Sequence, residues 1–112
     1  MTTTPNDSAR ISVLNDLLRR TGAGGETFIT RGIQALPGEV QAAILKRVAS
    51  FSEFTEDNDP YGEHDFGTFE FDGHAVDWKI DYYDRELRMH SPDAADPSVT
   101  RRVLTIMLAE EY

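Results

Sequence analysis

The clearest pattern of hydrophobic and polar positions lies either side of Asp72-Gly73. Residues 66–71 and 74–83 alternate apolar and polar, and an Asp-Gly pair is favoured in two-residue hairpin turns. With those two residues as the loop, Phe71 faces His74, Phe69 faces Val76 and Gly67 faces Trp78. One face of the hairpin then carries Phe69, Phe71, Val76, Trp78, Ile80 and Tyr82. The other carries Thr68, Glu70, Asp77, Lys79 and Asp81, with Phe66 the exception. The turn and the alternation specify the same register independently.

Three helices are predicted around this hairpin. Over 9–20, Ile11, Leu14, Leu17 and Leu18 recur at helical spacing, Asp7 or Ser8 can cap the start, and Gly22-Ala23-Gly24-Gly25 stops the helix. Over 38–50, Val40, Ala43, Ile44, Arg47 and Val48 trace a stripe behind Pro37. Over 97–111, Asp96 and Pro97 give a start signal, and Val99, Val103, Ile106 and Met107 form a stripe widened by Leu104 and Leu108. A strand is expected from Glu26 to Ile33, and residues 1–8 as a frayed tail. The expectation is a single α+β domain over 9–112, order α-β-α-β-β-α, with a small antiparallel sheet covered on one face by helices.

Charge narrows the choice of partners. The net charge is −9, and it is concentrated: residues 53–96 hold fourteen acids against three bases, residues 1–52 four against six. Such a field favours cations or a basic partner protein and repels nucleic acid and anionic membrane. The bases Arg10, Arg19, Arg20, Arg31, Lys46 and Arg47 leave a basic subface for nucleic acid, but the total charge opposes it. With no cysteine, disulfides, thiolate nucleophiles and cysteine metal sites are excluded. The longest apolar run, Ile106 to Ala109, is far too short to span a bilayer, and no secretory signal is visible, so the expected location is the cytoplasm.

Candidate chemistry gathers in Asp57-Asn58-Asp59-Pro60-Tyr61-Gly62-Glu63-His64-Asp65. Asp57, Asp59, Glu63 and Asp65 are hard oxygen donors suited to magnesium, manganese or calcium, but Tyr61 and Thr68 break the EF-hand pattern at its fifth and twelfth positions. Against a metal site stands the reading of Asn58 and Asp59 as a turn before Pro60 with the other acids solvated, so no cofactor is expected. Extending the hairpin register puts His64 across from Asp81, beside Asp77 and Tyr83. His64, Asp81 and Glu63 are therefore the candidates for acid–base work. No serine or cysteine elbow accompanies them, and a histidine–aspartate pair pinning the loop to the sheet is the competing account. His74 and His90 match no zinc-ligand spacing. Arg101 and Arg102 are expected to pair with Asp93 and Asp96.

The blocks Asn58–Gly67, Trp78–Asp84 and Thr100–Tyr112, with Leu14–Arg19 before them, resemble the signature blocks of domain-of-unknown-function family 3768 across about residues 9–112. The resemblance implies a small bacterial cytoplasmic protein often encoded on plasmids and other mobile elements of alphaproteobacteria. It implies no established activity, cofactor or catalytic residue. The leading functional expectation is a protein-binding or regulatory module, such as an inhibitor of a nucleic-acid-processing or defence complex. Its partner-binding candidates are Glu70, Asp77, Asp81 and Tyr83, set against a basic protein surface. The alternative is a hydrolytic or metal-dependent enzyme built on His64 and nearby carboxylates. An unpaired sheet edge leaves monomer and homodimer both open.

Overall fold

The computed structural model describes residues 5–112, with side chains from Asp7 onward. Helix α1 (Pro5–Thr21) is followed by strand β1 (Gly25–Ile29), a single helical turn α2 (Arg31–Gln34) and helix α3 (Gly38–Ser50). The hairpin strands β2 (Phe66–Phe71) and β3 (His74–Tyr83) come next, then β4 (Arg101–Leu108), flanked by 3-10 turns at Pro97–Val99 and Ala109–Glu111. The fold is α+β. Its four strands form one mixed sheet in the order β1-β4-β3-β2, with β1 parallel to β4 and the other pairs antiparallel.

The hairpin takes the register its turn specifies, Phe71 with His74, Phe69 with Val76 and Gly67 with Trp78. Asp72 and Gly73 both adopt positive φ (51° and 80°), as the favoured two-residue turn requires. Val76, Trp78, Ile80 and Tyr82 are buried on one face, where Ile11, Leu18, Ile33, Ile44 and Val48 of the helices join them in the core.

The last segment corrects the expectation of a helix over 97–111. Asp96 does act as a cap, its Oδ1 accepting from the Ser98 N–H at 2.9 Å, but it starts one 3-10 turn only. Thr100 is already extended, and the chain enters β4 between β1 and β3. Arg102, Leu104 and Ile106 are buried on the core face, while Val103 and Met107 are buried on the opposite one. A strand buried on both faces reads as a near-continuous apolar run, and its periodicity cannot be told from that of a buried helix. The β-branched residues Val99, Thr100, Val103, Thr105 and Ile106 were the signal for a strand. The sheet is therefore mixed rather than antiparallel, since β4 offers β1 a parallel neighbour.

Smaller corrections concern α1 and β1. The helix starts at Pro5, a residue whose fixed φ suits a first turn, so Pro5–Ser8 are helical rather than tail, and residues 1–4 lie outside the described residues. Asp7 and Ser8 consequently sit inside the helix and not at its cap. Strand β1 ends at Ile29, where the chain turns into α2. On α1 the core-facing stripe is Ile11, Asn15, Leu18 and Arg19, and Leu17 is 43% exposed. Two polar side chains thus occupy the buried side of an amphipathic helix.

Gly67 allows a close approach under the largest core side chain. A Cβ there would lie 2.4 Å from Trp78 Nε1 and 2.7 Å from Trp78 Cε2. Gly67→Ala is expected to destabilise the fold by about 1–3 kcal/mol, the usual range for overpacking, as read from urea denaturation midpoints. An unchanged midpoint would contradict this packing.

Candidate functional site

The loop between α3 and β2 uses its polar side chains on its own backbone. Asn58 Oδ1 accepts from the Thr55 N–H (2.8 Å), and the Asn58 amide donates to the Glu53 carbonyl (2.8 Å). Asp59, buried, accepts from the N–H groups of Glu63 (3.0 Å) and His64 (3.2 Å) through Oδ1. This is the turn reading of Asn58 and Asp59. Among the described residues, no group of three or more His, Asp or Glu side chains is arranged to hold a metal ion, so Asp57, Asp59, Glu63 and Asp65 do not converge as ligands.

His64 does not meet Asp81. Its φ of 58° takes it out of the extended line of β2, so extrapolating the register fails at this residue. Its Nδ1 lies 3.0 Å from Asp16 Oδ1 and its Nε2 3.8 Å from Asp59 Oδ2, while its ring stacks on Phe54 at 4.0 Å. Asp81 instead pairs with Lys79 at 3.0 Å. The register places Asp81 with Asp77 and Tyr83 on the face of β3 opposite the core, and Glu70 shares that face on β2. The constellation His64, Asp81 and Glu63 is therefore not assembled. A histidine–aspartate pair does pin the loop, but to α1.

Beside this pair runs a buried polar chain that links three elements. Arg102 Nε donates to Asn15 Oδ1 (2.7 Å), the Asn15 amide donates to Tyr82 Oη (2.9 Å), and Tyr82 Oη donates to Glu63 Oε1 (2.9 Å). The Asn15 amide also reaches the Glu63 carbonyl (3.0 Å), and Arg102 Nη2 donates to the Ala94 carbonyl. The Arg102 guanidinium lies 5.1 Å from the centre of the Tyr82 ring. Arg102 is 1% exposed and bonds neither Asp93 nor Asp96, because it belongs to a strand and projects into the core. Arg19 is anchored similarly, to the carbonyls of Val48 (2.7 Å) and Phe51 (3.1 Å) and to Asp16 (2.6 Å). Sequence reasoning missed Asn15, Arg19, Tyr82 and Arg102 as partners. The available signal was that Asn15 and Arg19 follow Ile11 at intervals of four, on the face that holds Leu18.

Tyr82 and Glu63 open onto a cleft of ≈ 560 Å³, with Asp65, Tyr61, His90 and Asp93 on its walls and Asp7 at its side. Burial, the largest influence, pushes the Tyr82 hydroxyl well above the usual tyrosine range, and the negative charges of Glu63 and Asp65 push the same way. The hydrogen bond from Asn15 opposes them without prevailing, so Tyr82 stays a neutral donor. Asp65 is raised by burial first and then by Glu63, Asp59 and Asp81. Burial also acts to raise Asp16, but hydrogen bonds from His64 and Arg19 win and hold it below the usual carboxylate range. The cleft can therefore offer carboxylates and aromatic rings to a cation, with burial holding Asp65 above the usual carboxylate range.

Removing Asn15 deprives a buried guanidinium of an acceptor and Tyr82 of a donor. Asn15→Ala is expected to cost about 2–4 kcal/mol and Tyr82→Phe about 1–2 kcal/mol, measured by denaturant unfolding. A raised carboxyl pKa means that the folded state holds its proton more tightly, so stability falls as pH rises from the ordinary aspartate value through the folded one. Asp65→Asn should accordingly be more stable than the parent at neutral pH, with the gap closing below the ordinary aspartate value. Parallel stability–pH curves for the two proteins would refute this.

No curated protein and no solved structure matches the chain. A family match covers residues 29–111, which takes in β1 at its last residue, α2, α3, the loop, the hairpin and β4, and leaves α1 outside. The matched stretch contributes Glu63, His64, Asp65, Tyr82 and Arg102 to the site, whereas Asn15, Asp16 and Arg19 come from the helix that precedes it. On this match, the chain belongs to DUF3768, a family of proteins of unknown function.

Proposed function

We propose that this protein is a binding module whose acidic cleft receives a lysine or arginine side chain of a basic protein partner. The observation that carries the reading is the lining of the cleft, in which Glu63, Asp65 and Asp93, with Asp7 at the side, are joined by Tyr61, Tyr82 and His90 and, among the described residues, by no lysine or arginine. Carboxylates give a guanidinium or ammonium group charge-assisted hydrogen bonds, and tyrosine rings offer it an attractive face. The excess of acids over residues 53–96 would steer a basic surface toward the cleft. In the mobile-element setting that the family resemblance implies, such a partner would be a component of a nucleic-acid-processing or defence complex. The cleft would then compete for the basic groove that normally meets phosphates.

The hydrolytic alternative draws no support from His64, since each of its ring nitrogens faces a carboxylate of its own chain. The candidate carboxylates Glu70, Asp77 and Asp81 lie on the opposite sheet face, which gives an internal comparison.

A partner recovered from the native host at low salt should bind Glu63→Gln or Asp93→Asn protein about tenfold more weakly, and the parent complex should weaken steeply as salt rises. Glu70→Gln and Asp77→Asn should bind like the parent. A complex insensitive to salt, or one weakened only by the opposite-face changes, would overturn the proposal. In the same preparation, calcium, magnesium or manganese should leave the melting temperature unchanged, and a saturable rise with any of them would restore the metal-dependent reading.

A further inference from the structure

The sheet ends on one side in a strand with an open outer backbone. In the order β1-β4-β3-β2, β1 is paired along β4 and along no other strand of the described residues. Alternate residues of a parallel strand turn both their N–H and C=O to the same side. The Thr30 N–H donates to the Ile106 carbonyl (3.1 Å), so Glu26 and Phe28, which share its phase, face β4. Thr27 and Ile29 therefore face outward. The Ile29 carbonyl accepts from the Gln34 side-chain amide (2.8 Å), which leaves the Thr27 N–H and C=O and the Ile29 N–H without a partner among the described residues. β1 has neither the lysine nor the proline that commonly blunts a sheet edge.

Beside this edge lies a groove of ≈ 320 Å³, with Thr27 on one wall, Leu45, Lys46 and Ala49 of α3 on another, and Arg20 at the end of α1. Among the described residues no carboxylate lines it. Arg19 borders it too, but its guanidinium is taken up by the Val48 and Phe51 carbonyls and by Asp16, and contributes nothing here. Arg20 and Lys46 are exposed and make no ion pair among the described residues. In a chain of net charge −9, these two cations invert the field locally. On the opposite face of the sheet, Phe28 stands level with Thr105 and is 54% exposed.

An extended peptide laid along β1 meets all three features at once. Its main chain pairs with Thr27 and Ile29, and its side chains alternate between the two faces. One set reaches over the groove to Arg20 and Lys46, where carboxylates gain charge-assisted hydrogen bonds. The other set covers Phe28, where apolar residues remove its ring from water. A second copy of this chain fits less well. Antiparallel pairing of two β1 strands about a two-fold axis brings the cations of both copies to one seam, where like charges repel.

We propose that the outer edge of β1, with the groove beside it, docks an extended peptide of a partner protein in which acidic and apolar residues alternate. The site is independent of the cation cleft, so either assignment can fail without the other.

The test uses the intact chain, titrated with a short synthetic peptide of alternating aspartate and valine. A peptide with lysine in place of aspartate, and one with the same aspartates and valines grouped in blocks, serve as comparisons. Amide hydrogen exchange is followed residue by residue. The alternating acidic peptide should slow exchange saturably at Thr27 and Ile29 and leave Glu26 and Phe28, which face β4, unchanged. Both comparison peptides should bind at least about tenfold more weakly. Thr27→Pro removes an outward donor and no bond to β4, and should abolish binding. Arg20→Glu combined with Lys46→Glu leaves the backbone edge intact, and should reverse the preference toward the lysine peptide. Glu63→Gln, which alters the cation cleft, should leave the affinity unchanged. Equal binding of the acidic and lysine peptides, or no slowing of exchange at Thr27 and Ile29, would overturn the site. Slowing that rises with protein concentration alone would identify a second copy as the occupant and overturn it as well.

Discussion

The structure depends on hiding a guanidinium. Arg102 stands in one of the two inner strands and points into the core, where a charge is tolerated only if its donors are met. Asn15 meets one of them from α1 and passes the connection to Tyr82, which ends it on Glu63. The helix, the sheet and the acidic loop are thereby fixed to one another by directional bonds, in addition to the non-directional apolar contacts of the core. A misplaced helix would leave several of these groups unpaired at once. Hydrophobic burial alone would tolerate small shifts of α1 across the sheet; this chain of donors and acceptors does not.

What could be read from the sequence was whatever local chemistry determines. Asp72-Gly73 needs only its own two positive φ angles, and the alternation of Phe69, Val76 and Trp78 follows from the pleat, so the hairpin emerged with its register. The stripe of α3 was equally local, with Ile44 and Val48 buried as its spacing requires. The strand at 101–108 was hidden because Val103 and Met107 are buried on one face while Leu104 and Ile106 are buried on the other. Sequence periodicity reports one-sided burial, and here burial is two-sided.

The site was legible in place but not in detail. The acidic segment does border the cleft through Tyr61, Glu63 and Asp65, yet the partner of His64 is Asp16, 48 residues away, and the partner of Arg102 is Asn15, 87 residues away. Nothing in the spacing of a single sequence specifies contacts over such separations. One left-handed residue, His64, was enough to invalidate a register extrapolated from the neighbouring strand. Placing Arg19 on a basic subface followed from its charge alone, although its helical phase, like that of Asn15, turns it inward.

The strand order carries a consequence for how the molecule is made. β4 is the last of the four strands in the chain, yet it lies between β1 and β3 and joins them. As the polypeptide leaves the ribosome, the hairpin and the earlier strand have no mutual hydrogen bonds, and each waits with an unsatisfied edge for a neighbour not yet synthesised. Cooperative assembly of the sheet is thus deferred until translation has passed Leu108. Over that interval, nascent chains rely on helices and an isolated hairpin, and their exposed edges are natural targets for chaperones and for aggregation.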